Sequence, residues 1–538
     1  MPATIGKKIQ AKSIAIIGGG PSGIASLYDL TRALKDGSTL FGSKSVLKQE
    51  ELKETAFDEI VAFERNPTAG GVWSKESSGD NNKDLPLPDL ELLGVSANEF
   101  ESDKPDKIFV KAEITPELEN KLAISSVEKP VVIKKDKLDA SDLHQWKSSA
   151  AYEELFTNVT NRYMSFSFDE YSREDLKGLE KKYKHLQMFQ AGKDVGVYLE
   201  KVIKDNDLAR YIRTNTNVER VRKLDSGKWE VVVKNQTTEG NSIIDRWYRQ
   251  EFDAVIIANG KTVPYVPNLK NLNEFAKKNK DKVTVTLAKA IKNVEFISKA
   301  KKILFVGASV SAVDLIQYAF PRDLSHPSIY ISRRNDVGNA SSWTRVCSHA
   351  KGLVNKPEIQ EFKSETNSVL FKDGTTESDF DVIIIATGYH MYYPFLDQQT
   401  NFTTEQTQNL TKFYRYTFSI ADPTLALVGN TYAGFFFNRV ESQAAALASV
   451  WSGHRLLPSV EEQRVWYAEK FPQKLVECTI KPWFIDPLIE LALNGRPNPL
   501  EFNEDKLDHV AHNAAGKRIV EDLFFKIRDG EVTYREVI

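Results

Sequence analysis

Cysteine is nearly absent from this chain of 538 residues, which contains only Cys347 and Cys478. Two cysteines so far apart exclude a disulfide framework and a C-x-x-C redox pair, and they fit a reducing compartment. No apolar run approaches the ~20 residues of a membrane span, and the amino terminus has no signal-peptide core. The formal net charge of −2 favours neither nucleic acid nor an anionic membrane. We therefore expect a cytoplasmic protein without a transmembrane segment or a nucleic-acid partner.

The composition is otherwise that of a globular protein, and the length suffices for two or three domains. The strongest local pattern lies near the amino terminus, where the apolar run 13–17 meets a glycine turn and a helical pattern follows. This is the strand–turn–helix context of a dinucleotide-binding motif. A glycine turn without a ligand is the alternative. We predict that five residues of the turn bind a dinucleotide pyrophosphate: Gly18, Gly20, Pro21, Ser22 and Gly23.

The next predicted strand, 57–64, ends in an acidic residue. A carboxylate at the tip of that strand can accept hydrogen bonds from a ribose diol, so we place Glu64, with Arg65 beside it, at the nucleotide. The spacing from Gly20 exceeds the usual ~20 residues. We ascribe the excess to a polar surface insertion over residues 35–56.

Two adjacent glycines before an aromatic residue, in Gly70-Gly71-Val72-Trp73, indicate backbone that passes very close to a flat group. An ordinary turn with a core tryptophan is the alternative. The chain then becomes polar over residues 74–147, which we interpret as an insertion: a lid, an interface or a partly disordered segment. We expect folded structure to resume near Tyr152. The pattern of residues 212–221, which include Val218, predicts a strand.

A second dinucleotide unit is predicted further along the chain. Residues 302–306 form a strand pattern, and a turn from Gly307 to Ala312 leads into a helix. Ser309 and Ala312 replace two of the usual glycines, so the motif is degenerate, while its context is intact.

The strand after this second turn ends in Arg333 and Arg334 rather than in an acid. A guanidinium can bind a 2′-phosphate bidentately, whereas a carboxylate would repel it. We therefore predict NADPH rather than NADH at this unit. A solvated arginine turn is the alternative.

Two more buried strands mark where the chain crosses between the units. One ends in Ala258-Asn259-Gly260, and the other ends in Ala386-Thr387-Gly388. Residues 425–429 return to the first sheet, and the helix that follows carries Gln443 among small residues suited to packing under a cofactor. His509 and His512 have no cysteine or acidic partners in ligand geometry, so we predict surface residues and no metal site.

In this order the motifs resemble the flavin-containing monooxygenases, a class of flavoproteins that bind two dinucleotides. The turn at Gly18 with Glu64 resembles their FAD site, and Gly70 to Trp73 resembles their Gly-Gly-x-Trp segment beside the flavin. The stretch from Tyr152 to Asn158 resembles the one that carries their active-site asparagine. The resemblance implies FAD and NADPH as cofactors and Asn158 as the catalytic residue. It also implies these cofactor-binding residues: Gly18, Gly20, Pro21, Ser22, Gly23, Glu64, Arg65, Gly71, Val72, Trp73, Thr157, Val218, Asn259, Gly307, Ser309, Ser311, Ala312, Arg333, Thr387, Gly388 and Gln443.

The resemblance further implies the reaction. NADPH would reduce FAD, the flavin would capture O₂ as a C4a-hydroperoxide, and one oxygen atom would pass to a soft nucleophile: a thiol, a thioether or an amine. Asn158 is expected to donate a hydrogen bond to that peroxide. A turn asparagine in Thr-Asn-x-Thr is the alternative. The expected partners are O₂ and a small nucleophilic substrate, and the sequence leaves a homo-oligomer open.

One family motif is missing. The F-x-G-x-x-x-H fingerprint should lie between Pro264 and Gly307, but that stretch has no histidine or glycine in place. Because this region helps to hold NADPH in the family, a Baeyer–Villiger activity is disfavoured. An NADPH oxidase and an inactive flavoprotein kept as a binding module are the alternatives, whereas a disulfide reductase would need a paired cysteine.

The expected fold is α/β, with two dinucleotide-binding (Rossmann-like) domains and the NADPH domain inserted in the FAD domain. The predicted boundaries are 1–265 for the first part of the FAD domain, with the insertion 74–147, then 266–374 for the NADPH domain, 375–458 for the second part of the FAD domain, and 459–538 for a mainly helical extension.

Overall fold

The computed structural model describes residues 8–43, 54–74, 114–135, 149–240, 242–261, 263–267, 269–334, 342–396, 412–430, 434–470, 477–501 and 507–538. The strands are β1 (Ser13–Ile17), β2 (Glu59–Phe63), β3 (Val131–Lys135), β4 (Ile212–Arg213), β5 (Thr216–Lys223), β6 (Trp229–Glu239), β7 (Ser242–Phe252), β8 (Ala254–Ile257), β9 (Val263–Pro264), β10 (Thr284–Leu287), β11 (Ile303–Val306), β12 (Ile329–Ser332), β13 (Leu353–Lys356), β14 (Ile359–Lys363), β15 (Ser368–Phe371), β16 (Thr376–Ser378), β17 (Val382–Ile385), β18 (Tyr389–His390), β19 (Phe413–Tyr414), β20 (Phe418–Ser419) and β21 (Leu425–Leu427). The helices are α1 (Pro21–Thr31), α2 (Pro116–Leu122), α3 (Arg173–Lys182), α4 (Gly192–Asp205), α5 (Leu272–Lys278), α6 (Glu295–Lys299), α7 (Val310–Ile316), α8 (Ser342–Ser348), α9 (Phe436–Trp451), α10 (Val460–Lys470), α11 (Glu477–Ile480), α12 (Asp486–Ile489), α13 (His509–Arg528) and α14 (Tyr534–Val537).

The first sheet has seven strands in the order β19-β20-β21-β8-β1-β2-β4. Strands β21, β8, β1, β2 and β4 run parallel, and β19 and β20 extend the sheet antiparallel. Strand β1 is apolar from residue 14 to residue 17 because both of its faces are covered there. Ile14 and Ile16 lie in the core that includes α1 and α9, whereas Ala15 and Ile17 lie in the core that includes β5 and β6.

The second sheet has five parallel strands in the order β10-β17-β11-β12-β13. Its central strands β11 and β17 consist of four buried apolar residues each. The chain enters this sheet after β8 and returns to the first sheet at β19. The predicted fold, two dinucleotide-binding units with the second inserted in the first, is therefore confirmed.

The two sheets repeat one another strand for strand. Strand β1 pairs with β8, which pairs with β21, and likewise β11 pairs with β17, which pairs with β10. The last residues of these strands are in register in each sheet: Ile17, Ile257 and Leu427 in the first, and Val306, Ile385 and Leu287 in the second. Gly18 and Gly307 therefore occupy the same place in the two units.

One predicted domain boundary lies too early. The sequence ends the inserted domain at residue 374, but β17 pairs with β10 and β11 of the second sheet. The inserted unit therefore extends beyond residue 385. The other boundaries stay predictions.

Part of the predicted insertion is a folded element. Residues 114–135 form α2 and β3, and β3 pairs with β7 in a four-stranded sheet of order β3-β7-β6-β5. Leu118 and Leu122 of α2 pack on Trp247 of β7 in a small core. This segment is thus bound to the sheet that covers the first unit. Residues 75–113 and 136–148 lie outside the described residues.

A buried ion network fastens the carboxyl-terminal region to the first unit. Arg496 pairs with Asp29 of α1 (Nε–Oδ1 2.7 Å) and with Glu441 of α9 (Nη2–Oε2 2.8 Å). In addition to Arg496, the Ser167 main-chain N–H donates a hydrogen bond to the Glu441 carboxylate. Removing one partner would leave an uncompensated buried charge and cost several kcal/mol, so the positions of Arg496, α1 and α9 depend on one another. Within the described residues, no helix combines the length and the apolar character needed to cross a bilayer.

Candidate active site

A cavity of about 780 Å³ opens at the carboxyl ends of the first sheet. Gly18, Glu64 and Asn259, which follow β1, β2 and β8, lie in its wall, and Val310 and Trp343 of the second unit lie in another part of the wall. Open α/β sheets bind ligands at this edge, where the strand order reverses. The volume is within the range of small-molecule and cofactor sites.

The turn after β1 requires glycine. Gly18 has φ +112°, and a Cβ there would lie 2.5 Å from the carbonyl oxygen of Ala258. Helix α1 begins directly after the turn with no side-chain cap and no acidic residue in its first turn. Gly20, Pro21 and Ser22 line the cavity. Unsatisfied N–H groups at a helix start attract an anion, so these residues suit a pyrophosphate.

Glu64 is almost entirely buried beside the turn. Its Oε2 accepts a hydrogen bond from the Gly19 N–H (2.8 Å), and its Oε1 accepts one from the Asn66 N–H (2.8 Å). Burial raises the pKa of this carboxyl above its ordinary value, and the two N–H donors oppose that shift. The side chain is thus fixed in the cavity wall, with Arg65 beside it, where a ribose hydroxyl could bind.

The Gly70–Trp73 segment packs against the first glycine turn. The Gly70 N–H donates to the carbonyl of Gly19 (2.9 Å). A Cβ on Gly71 would lie 2.9 Å from the Cα of Gly20, so the two backbones touch. Val72 and Trp73 line the cavity beside this contact. The paired glycines therefore allow the segment to pack on the first turn, and the predicted contact with a flat group stays a prediction.

The segment before Asn158 is bound to the second unit. The Tyr152 hydroxyl donates to Asp314 of α7, and Lys292 Nζ donates to the Ala151 carbonyl (3.1 Å). Burial raises the pKa of Asp314 to about 7, and the Tyr152 hydrogen bond opposes that shift. The wall that carries Asn158 is therefore attached to the domain of the second glycine turn.

Asn158 itself lines the cavity, whereas its neighbour Thr157 does not. The Thr157 N–H donates to the Gln190 carbonyl (2.9 Å), and Thr157 Oγ1 accepts from the Gln190 N–H (3.3 Å). Thr157 therefore fixes the backbone next to Asn158, and its contact with a cofactor stays a prediction.

The turn after β11 repeats the geometry of the first turn. Gly307 has φ +110°, and a Cβ there would lie 2.5 Å from the carbonyl oxygen of Ala386, which corresponds to Ala258. Ser309 is the N-cap residue of α7 and makes no side-chain cap. Ser311 and Gly388 line a second, much smaller cavity beside this turn. Ala312 is buried under it.

The sequence profile of the flavin-binding monooxygenase-like family matches residues 145–338 and 344–484, more than half of the chain. The chain belongs to this family. FAD and NADPH are the cofactors of such flavin-dependent monooxygenases. The glycine turn, the Glu64 carboxylate and a cavity of about 780 Å³ lined by Gly71 and Trp73 are features that FAD needs, so the residues present fit it.

Named relatives support the membership. The chain is 28% identical over 299 residues to the flavin-containing monooxygenase iboF of Amanita muscaria, covering 49% of this chain and 55% of the relative. It is 23% identical over 271 residues to the senecionine N-oxygenase of Tyria jacobaeae, covering 50% and 54%. The chain thus spans about half the length of these two relatives. The structure of S-allyl-L-cysteine S-oxygenase from Allium sativum shares the fold, with a TM-score of 0.55 at 18% identity, covering 98% of this chain and 95% of that chain.

Arg333 takes the place in the second unit that Glu64 has in the first. Ser332 pairs with Val306 as Phe63 pairs with Ile17, so each residue directly follows the second strand of its unit. The Arg333 guanidinium donates to the Ser348 carbonyl (3.0 Å) and to the Asn355 side chain at the ends of α8 and β13. These contacts hold the guanidinium at the carboxyl edge of the sheet.

Several predicted residues lie outside the larger cavity. Gln443 is fully buried, and its Oε1 accepts from the Gly429 N–H (2.9 Å) while its Nε2 donates to the Leu427 carbonyl (3.1 Å). It therefore fixes the end of β21 and does not line the wall of the larger cavity, and its contact with a cofactor stays a prediction. Thr387 donates to the Tyr265 carbonyl, and Gly23 is packed against Gly18. Val218 does line the wall.

Six charged residues in the wall escaped the sequence analysis: Glu219, Lys261, Lys289, Arg439, Glu477 and Lys517. Lys261 and Lys289 follow β8 and β10, and Lys517 with its ion-pair partner Glu477 comes from the helical carboxyl-terminal region. Burial lowers the pKa of Lys261 to about 8 and that of Lys289 well below its ordinary range. No local motif surrounds these residues, so only the three-dimensional arrangement identifies them.

The two histidines of α13 are packing residues. His509 Nδ1 lies 2.9 Å from the Tyr163 hydroxyl, and His512 Nε2 lies 3.2 Å from Thr160 Oγ1. Burial lowers the pKa of both imidazoles. They attach α13 to the segment after Asn158, and both are half-buried at the surface.

Proposed function

We propose that this chain is an FAD- and NADPH-dependent monooxygenase that transfers one oxygen atom from a C4a-hydroperoxyflavin to a soft nucleophile, namely a thiol, a thioether or an amine. The observation that carries the proposal is the pair of equivalent turns at Gly18 and Gly307, each at the carboxyl edge of its own parallel sheet. Both units contribute to the wall of one cavity. Two dinucleotides bound at these turns would bring their redox rings into that shared space.

Bound FAD, once reduced by NADPH, supplies the oxygen-transfer chemistry. The chain's own residues then need only to position and protect it. Glu64 and the first turn hold the nucleotide end, and Trp73 with Phe395 presents apolar surface that excludes water from the cavity. Asn158, in the same wall, donates an amide N–H toward the reacting oxygen.

A soft nucleophile suits this cavity because its oxidation needs no paired acid and base from the protein. Two of the proteins named above are an N-oxygenase and an S-oxygenase, and both nitrogen and sulfur are soft centres. Neither Cys347, which is buried elsewhere, nor the exposed Cys478 lines the cavity, so a disulfide reductase is disfavoured.

The proposal is tested with the purified yellow protein, NADPH, isotopically heavy O₂ and either a tertiary amine or a thioether. We expect an N-oxide or a sulfoxide that carries one heavy oxygen atom, with one NADPH consumed per product, as measured by mass spectrometry and absorbance. Hydrogen peroxide without labelled product would instead identify an NADPH oxidase. Absence of NADPH consumption would identify a binding module.

The preference for NADPH predicts the behaviour of Arg333→Ala. Loss of a charge-assisted contact to the 2′-phosphate should weaken NADP⁺ binding by about 10- to 100-fold. The affinity for NAD⁺ should change by less than about 3-fold, since NAD⁺ has no 2′-phosphate and does not make the lost contact. Titration of the oxidised protein with each nucleotide measures both values.

Arg334→Ala is the matched control. Arg334 is exposed, and its substitution removes the same charge one residue away from Arg333. It should leave both affinities nearly unchanged. Equal losses for NADP⁺ and NAD⁺ in Arg333→Ala would show that this arginine holds α8 and β13 in place and does not read the phosphate.

A further inference from the structure

Helix α13 brings a polar face to the larger cavity. Asn513 and Lys517 are one turn apart on this helix, so their side chains share a face, and both line the cavity. Glu477 of α11 lines the cavity as well and forms an ion pair with Lys517. These three residues form the polar end of the cavity.

The polar end lies away from the predicted nucleotide end. Strand β2, which precedes Glu64, and strand β21 lie on opposite sides of β1 in the first sheet. The chain after β21 leads to Gly434, where a Cβ would lie 3.6 Å from Glu477 Cγ and 3.8 Å from Asn513 Nδ2. The polar end is therefore on the β21 side of the first glycine turn, whereas Glu64 is on the β2 side.

Helix α13 also contacts the segment that carries Asn158. His512 Nε2 lies 3.2 Å from Thr160 Oγ1, and a Cβ on Gly516 would lie 2.7 Å from Thr160 Cγ2. Asn513 directly follows His512 in sequence and precedes Gly516 by one turn of the same helix. A molecule held at the polar end would therefore lie beside the segment of the proposed hydrogen-bond donor.

The side-chain amide of Asn513 is the observation that points to a ligand. Asn513 is only 6% exposed, yet its amide forms no hydrogen bond with any residue that the structure describes. Buried amides are normally hydrogen-bonded, because leaving one unpaired is costly. Since Asn513 lines the cavity, a molecule bound there is placed to complete these hydrogen bonds.

The ion pair next to Asn513 favours a ligand that carries two opposite charges. The Lys517 ammonium has three N–H donors and the Glu477 carboxylate has two acceptor oxygens, so neither group is saturated by the other. A lone carboxylate attracted by Lys517 would be repelled by Glu477, and a lone ammonium would meet the opposite conflict. A zwitterion places each of its charges against the opposite charge of the pair.

Resting on the proposed function, we propose that the polar end binds a substrate of the α-amino-acid type. Its carboxylate would contact Lys517 and the Asn513 amide, and its ammonium would contact Glu477. The thioether sulfur or side-chain nitrogen of the same molecule would then extend toward Asn158. Asn513 is thus a specificity-determining residue that holds the substrate and takes no part in oxygen transfer.

The test uses L-methionine and three analogues: (methylthio)butyrate, which lacks the ammonium, (methylthio)propylamine, which lacks the carboxylate, and methionol, which has neither charge. Calorimetric titration of the oxidised, FAD-loaded protein without NADPH measures binding independently of turnover. We expect methionine to bind about 10- to 100-fold more tightly than each analogue, because each analogue lacks at least one charge-assisted contact.

Substitutions in the ion pair should exchange this preference. Glu477→Gln keeps the side-chain shape and removes the negative charge, so (methylthio)butyrate should bind at least as tightly as methionine. Lys517→Met removes the positive charge, so (methylthio)propylamine should bind at least as tightly as methionine in that variant. A purely structural role for the pair would instead lower all four affinities together.

The Asn513 amide is tested by Asn513→Ala. It should weaken methionine and (methylthio)butyrate by about 10-fold and leave (methylthio)propylamine within about 3-fold, with FAD content unchanged. Lys526→Met is the matched control, because Lys526 pairs with Asp522 on the same helix and does not line the cavity. It should leave all four affinities within about 3-fold, since exposed charges are screened by salt.

The assignment is overturned if methionine binds no more tightly than its analogues. It is also overturned if the three variants leave all four affinities unchanged or lower them equally. A protein that binds methionine but forms no methionine sulfoxide with NADPH and O₂ would contradict the proposed function and leave the polar end as a binding site. A protein that oxygenates methionol but does not bind methionine would contradict this inference alone.

Discussion

Gly18→Ala is expected to give a folded but colourless protein, whereas Gly307→Ala should stay yellow and lose its response to NADPH. The two glycines have nearly the same geometry, with φ +112° and +110°, and each would place a Cβ 2.5 Å from a main-chain carbonyl oxygen. Strain and overpacking together cost about 3 kcal/mol or more. Each substitution should therefore weaken the dinucleotide at its own turn by at least about 100-fold.

The measurements are the ratio of flavin to protein absorbance and the affinity for NADP⁺. Gly374→Ala serves as the control, because Gly374 also has a positive φ (+81°) but no atom lies within 4 Å of the added Cβ. It should cost some stability and leave both cofactors bound. Loss of FAD from both Gly18→Ala and Gly307→Ala would mean that the two turns do not serve separate dinucleotides.

Asn158→Ala is expected to retain FAD and its reduction by NADPH while product formation falls by about 10²- to 10³-fold, the usual effect of removing one positioned donor. The side chain lines the cavity, and Thr157 fixes the backbone beside it through Gln190. Peroxide should accumulate in place of oxygenated product, since reduction of the flavin does not depend on the amide. Product yield and peroxide yield are measured in the same reaction.

Asn158→Asp separates hydrogen bonding from packing. Aspartate has the same shape but, when ionised, donates no hydrogen bond. If the N–H donor matters, the aspartate variant should be as impaired as the alanine variant. Near-normal oxygenation by Asn158→Asp, or by Asn158→Ala, would assign the residue to the turn alone.

The first and second turns could be predicted from sequence because their chemistry is local. Gly18 and Gly307 each follow a buried β-branched strand and precede a helix, and Glu64 and Arg333 end the next strand in each unit. Only residues close in sequence decide such a pattern, so the fold and these parts of the site were accessible without coordinates.

The features that sequence analysis missed depend on long-range pairing. Lys289 carries no motif, and it acquires its place from the register of β10 with β17, almost a hundred residues later. Residues 114–135 were interpreted as part of a polar insertion, because the strand that pairs with β3 is β7, which lies far away along the chain. The hydrogen bonds of Gln443 also escaped the sequence analysis, because its main-chain partners at the end of β21 belong to a different element.

The most direct test of two cofactors meeting in one cavity is anaerobic stopped-flow mixing of the yellow protein with NADPH. We predict a rapid loss of the visible absorbance of oxidised flavin, slower or weaker with NADH. A protein that binds NADPH yet keeps its flavin oxidised, or one that takes up no FAD, would contradict the arrangement.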